Sequence, residues 1–80
     1  MTPSQAKKVI EKLTNEKEKL ENYRDRLMEK IEEIENMASD KERELTEGEE
    51  NRIYDYEEKI DTLNDAIDSL ENAISYLEDV

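Results

Sequence analysis

From Ile53 to Leu77 the apolar residues fall alternately three and four positions apart without a fault: Ile53, Tyr56, Ile60, Leu63, Ile67, Leu70, Ile74 and Leu77. A strand would alternate every two residues, and an ordinary surface helix would carry a broader apolar face. This narrow stripe is the seam of a coiled coil. All four first positions of the heptad are Ile and three of the four fourth positions are Leu, the preference of parallel two-stranded coiled coils. Ala66 and Ala73 flank the seam, where small side chains let a neighbouring helix approach closely. A fully buried Ile or Leu contributes ~1.5–3 kcal/mol, so this seam is expected to dominate the stability of the fold.

A seam needs something to face. Upstream, Ala6, Leu13, Leu20, Leu27 and Ile34 repeat every seven residues. Beside them runs Ile10, Lys17, Arg24, Ile31 and Ala38, apolar at its ends and basic in its middle, while Val9, Tyr23 and Met37 widen the stripe on the other flank. Thr2 can cap this helix, Pro3 suits its first turn, and Gln5 can close a capping box onto Thr2. Nothing breaks a helix from there to about Ala38.

The break falls between Ser39 and Gly48, the stretch that holds the only glycine. Two capping boxes compete here, Ser39 with Glu42 and Thr46 with Glu49. Thr46 is the stronger start, because Glu47, Glu49 and Glu50 then fill the first turn as the helix dipole prefers. The expected fold is all-α, a two-helix antiparallel coiled-coil hairpin in a single domain spanning 1–80. Its parts are a helix over 3–38, a turn over 39–46 and a helix over 47–79, with pairing of two hairpins into a four-helix bundle as an open extension. The competing arrangement is one continuous helix of ~120 Å. In the hairpin, Lys17 and Arg24 lie opposite Ile67 to Leu70. Either their methylenes cover that apolar surface, or the second seam also serves another copy or a partner.

Residue content removes most chemistries. The chain has 80 residues with neither Cys nor His, so no disulfide, zinc site, or Cys- or His-based catalytic dyad is expected. An EF-hand loop beginning at Asp40 would need glycine where Leu45 stands and a bidentate glutamate where Asn51 stands. No enzyme activity, metal or cofactor is expected. With 45% charged residues and net charge −12, direct binding to nucleic acid or to anionic lipid is disfavoured. No apolar run reaches the ~20 residues of a membrane span, and no signal-peptide core is present, so a cytoplasmic location is expected.

The charge is divided unevenly. Residues 1–38 hold eight Lys or Arg and nine Asp or Glu; residues 39–80 hold four and fifteen, and no basic residue follows Lys59. On the second helix Glu58, Asp61, Asp65, Asp68 and Asp79 line an outer face, with Glu57, Glu71 and Glu78 beside it. Like charges three or four residues apart repel by a few tenths of a kcal/mol per pair, so such a face costs stability unless it serves something. One account is a solvated surface. The other is imitation of a nucleic-acid backbone, a row of carboxylates fitted to a basic groove on another protein. Tyr54 and Tyr76 fall off the seam and could anchor such an interface, whereas Tyr23 and Tyr56 belong to or flank a seam.

The stretch RIYDYEEKIDTLNDAIDSLENAISYLEDV resembles the C-terminal helices of small acidic proteins carried by phages and other mobile elements. Some proteins of that kind inhibit host defence nucleases, including CRISPR effectors and restriction enzymes, partly through acidic surfaces. The stretch ERELTEGEENRIYDYEEKIDTLNDAI also resembles the delta domain of tailed-phage major capsid proteins. Leu45, Thr46, Glu47 and Glu49 match its helix break, although no shell-forming domain follows within these residues. The first likeness implies a non-catalytic inhibitor in a bacterial host, binding a nucleic-acid-handling protein through Tyr54, Glu57, Glu58, Asp61, Asp65, Asp68, Glu71, Tyr76, Glu78 and Asp79. The second implies an assembly coiled coil, in which the seam matters and the acidity only keeps it soluble. A homodimer is compatible with both.

Overall fold

The computed structural model describes residues 1–79. They form two helices, α1 (Pro3–Asp40) and α2 (Glu47–Glu78), in a rod of 59 × 17 × 14 Å. That is about half the length of a single continuous helix at ~1.5 Å per residue, so the chain has folded back on itself. The all-α hairpin expected from the two seams is present. Among the described residues no helix is long and apolar enough to cross a membrane.

Both helices begin where the sequence marks them. The Thr2 hydroxyl accepts from the Gln5 amide at 3.2 Å and the Gln5 side chain accepts from the Thr2 amide at 3.0 Å. Thr46 and Glu49 make the same reciprocal box at 3.2 and 2.9 Å. Ser39 lies inside α1, which runs to Asp40, two residues beyond its expected end at 38.

Two backbone bonds explain where α1 stops. The Glu42 amide donates to the Ser39 carbonyl and the Arg43 amide to the Ala38 carbonyl, each at 3.0 Å. This is the Schellman closure, which requires a left-handed residue between cap and exit. Glu42 fills that place with φ 51°, while Gly48, the residue suited to it, sits in the first turn of α2 with a negative φ. The glycine marks the break region but does not make the turn.

Arg43 leaves this closure pointed at α2. Its guanidinium grips the Glu49 carboxylate at 2.7 and 3.1 Å and also donates to the Glu44 carbonyl at 3.0 Å. Glu49 occupies the seam position one heptad before Tyr56 and is 6% exposed. One carboxylate thus caps α2, fills its seam and ties the turn. The Arg43 bond first, and then the Thr46 amide, hold Glu49 down to about 2.

Register along the rod is read from two side-chain bonds. Lys17 reaches Glu71 at 3.4 Å, and seven residues on, Arg24 reaches Asn64 at 3.1 Å. An advance of seven along α1 matches a retreat of seven along α2, as an antiparallel pair requires. Lys17 and Arg24 therefore lay their stems along the seam and carry their charges out to its lip, each side chain 25% exposed. Leu27 and Ile67 are the large apolar side chains most completely buried, with Ala6 and Ala38 near the ends. The remaining seam residues are half-buried, as two helices alone allow. Tyr23 and Met37, expected to widen the α1 stripe, stay 44% and 53% exposed because they sit at the lip and not between the helices.

The turn and the caps set the expected stability effects. Replacing Glu42 with Gly relieves the left-handed strain, and replacing Gly48 with Ala, whose Cβ would meet nothing within 4 Å, removes a helical glycine. Each should add about 0.5–1 kcal/mol, read as a higher melting temperature. Thr46→Ala should remove about 1 kcal/mol. Because the folded Glu49 value is depressed, its stabilisation is full above the unfolded carboxylate value of 4.5 and is lost as pH falls through about 2. The melting-temperature gap between the native chain and Glu49→Gln should therefore close between those two pH values.

Candidate functional site

The register sorts the polar residues into two long sides. With heptad letters a to g and a at Ile10 in α1 and Ile53 in α2, the b and e positions of both helices share one side. The Arg24 guanidinium shows this directly, bonding Asp25, a b residue of α1, at 3.2 Å and Asn64, an e residue of α2, at 3.1 Å. The c and g positions share the opposite side, where Tyr23, Arg26 and Lys30 of α1 line one groove with Tyr56 and Lys59 of α2.

The b/e side is almost wholly acidic. From α1 it carries Glu11, Glu18, Glu21, Asp25, Glu32 and Glu35; from α2 it carries Glu47, Glu50, Glu57, Asp61, Asp68, Glu71 and Glu78. Against these thirteen carboxylates stands one base, Lys7. All are exposed except half-buried Glu21. Over the ~46 Å between the two ends of this row, the spacing is ~3.5 Å per carboxylate.

The residues expected to bind a partner divide accordingly. Tyr54, Glu57, Asp61, Asp68, Glu71 and Glu78 lie on the acidic side, and Glu71 also holds Lys17. Glu58 and Asp65 lie at f positions along the outward edge of α2, with Asp79 following at its cap. Tyr76 lies on the other side of the rod, 74% exposed, so it cannot join Tyr54 in a single contact surface. Tyr54 is 62% exposed, and its hydroxyl is held above its ordinary value by a hydrogen bond to Glu58, by the charge of that carboxylate, and more weakly by burial and Asp55.

Reading α2 alone missed the six carboxylates from α1. Taken by itself α1 is nearly neutral, because its eight Lys and Arg nearly offset its ten Asp and Glu. Only the heptad frame of both helices together separates them. The signal was available in the spacing: six of the ten acids of α1 fall at b and e, where Lys7 is its one base.

No group of Asp and Glu among the described residues is arranged to hold a metal ion. Among the described residues the grooves along the rod are open to solvent, and the site offers surface charge. Comparison with protein-family models, with characterised proteins and with solved structures finds no match for this chain.

The acidic side predicts a salt response. Raising ionic strength from about 0.01 M to 0.15 M shortens the screening length from ~30 to ~8 Å and damps repulsion along the row. The melting temperature should rise over that range, measured by circular dichroism. A fall would mean that the Lys17–Glu71 and Arg43–Glu49 pairs outweigh the row.

Proposed function

We propose that the hairpin is a non-catalytic binding module whose b/e side competes with nucleic acid for a basic surface on another protein. The setting that fits this chemistry is a phage or other mobile element acting in the bacterial cytoplasm against a host defence protein. One observation carries the proposal: thirteen carboxylates from two helices face one way with a single lysine among them. A helix selected for stability alone would mix lysine into such a row to gain i,i+4 pairs.

The spacing narrows the class of surface. One charge per ~3.5 Å is close to the ~3.4 Å of a single nucleic-acid strand and about half the linear density of a duplex. A groove that tracks one backbone is the better fit. Such contacts are driven by charge, so they associate fast and weaken with salt.

A second reading has its own support. Tyr23, Met37 and Tyr76 are exposed on the c/g side, where an assembly coiled coil would present apolar contacts to a neighbour. In that reading the acidic side is a solubilising surface.

Capture from a bacterial lysate, beside a variant carrying Asp61→Lys, Asp65→Lys and Asp68→Lys, separates the two. The native chain should retain a nucleic-acid-handling protein that a single-stranded oligonucleotide releases. The variant should lose it while remaining equally helical. Changing Glu18, Asp25 and Glu32 on α1 to lysine should cost at least as much, because both helices build the side. Retention of structural proteins alone, indifferent to either set of changes, would favour assembly.

A further inference from the structure

The c/g side differs from the rest of this acidic chain in sign and in pattern. Within the helices its c and g positions carry six bases, Lys12, Lys19, Arg26, Lys30, Arg52 and Lys59, and four acids, Glu16, Glu33, Asp40 and Asp55. It is the one long side on which two molecules of net charge −12 can approach without matching carboxylate to carboxylate.

Its charges are arranged about a centre. In the register given by the Arg24–Asn64 bond, Tyr23 of α1 lies level with Asp65 of α2, next to Ala66. Along α1, Glu16 lies seven residues before Tyr23 and Lys30 seven after it. Val9 and Met37 lie fourteen before and after, and Lys12 and Glu33 eleven before and ten after. Reversing this side end for end about Tyr23 therefore lays Glu16 on Lys30, Lys12 on Glu33 and Val9 on Met37.

We infer that the c/g side is a self-docking surface, on which a second copy of this chain lies antiparallel, α1 against α1 and α2 against α2, with a two-fold axis at Tyr23 and Ala66. A two-fold contact makes each pair occur twice. The dimer thus holds four opposite-charge pairs against two like ones, Lys19 with Arg26, and Lys19 is already paired to Glu16 of its own helix at 3.7 Å. On α2 the same operation sets Ala66 on itself, Thr62 near Ser69 and Tyr76 near Asp55, with small side chains along the middle of the contact.

The parallel alternative fails on charge. It would lay α1 on the partner's α2 at the same height, bringing Lys30 to Lys59 and Glu33 to Asp55. Area is consistent as well. The chain exposes 6227 Å². A compact monomer of its mass would expose ~5,000 Å², and the excess of ~1,200 Å² can supply the ~800 Å² that each partner of a standard interface buries. Both acidic sides point outward in this dimer, which leaves them free.

The test is sedimentation equilibrium on the full chain, with helicity followed by circular dichroism. The native chain should be dimeric at tens of micromolar. Glu16→Lys and Lys30→Glu should each weaken dimerisation at least tenfold, since each puts like charges together twice. Mixing the two variants in equal amounts should restore a dimer of near-native affinity, because both pairs between positions 16 and 30 are again opposite in sign. A native chain that stays monomeric at that concentration overturns the inference. So does a dimer untouched by both changes, or one that weakens in both variants and is not recovered on mixing.

Discussion

The antiparallel register of α1 on α2 governs everything else in this molecule. Two apolar seams of matching length could slide past one another by a heptad with little change in the area they bury. What stops them is at the turn. The Schellman closure at Glu42 sends Arg43 onto Glu49, and Glu49 is at once the cap of α2 and its first seam residue. Farther along, Lys17 meets Glu71 and Arg24 meets Asn64. A slide of one heptad would offer them Glu78 and Glu71, or Asn64 and Glu57, so these bonds report the register without fixing it. A shift of one heptad would leave a nearly buried carboxylate without its guanidinium, which is far more costly than a shifted Leu.

Glu49 in the α2 seam thus acts as an alignment device as much as a stabiliser. Two helices cannot enclose a deep core, and few of the apolar side chains here are fully buried. Leucine in place of Lys17 and Arg24 would bury more apolar area, but it would also give up the bonds to Glu71 and Asn64 across the two helices. Single polar residues in a seam are a known means of specifying register at some expense of stability.

Once register is set, the charge pattern becomes a property of surfaces and not of segments. The b and e positions of two helices combine into one acidic side, while c and g positions combine into a side of mixed sign around Tyr23 and Ala66. The proposed docking on a basic groove and the proposed self-association draw on these two different sides. These roles need not compete, since they use opposite sides of the rod.

The fold was legible in the amino-acid order to a large degree. The three-four alternation of α2, the seven-residue repeat of α1, the Thr2 and Thr46 boxes and the polar break between them set the two helices, because capping and heptad periodicity are local and read within a few residues. Part of the candidate site was legible too: the carboxylates of α2 are exposed where the spacing placed them. The turn was less so. Gly48 drew attention to the break, yet Glu42 adopts the left-handed conformation, because a Schellman closure is positioned by where the last turn of α1 ends. The six carboxylates from α1, and the separation of Tyr76 from Tyr54, depended on which side of one helix faces which side of the other. That is decided by packing between residues dozens apart in the chain. Sequence by itself therefore determined the helices, their caps and their seams; the tertiary structure alone decided the faces, since only the alignment of two seams assigns every polar residue its side.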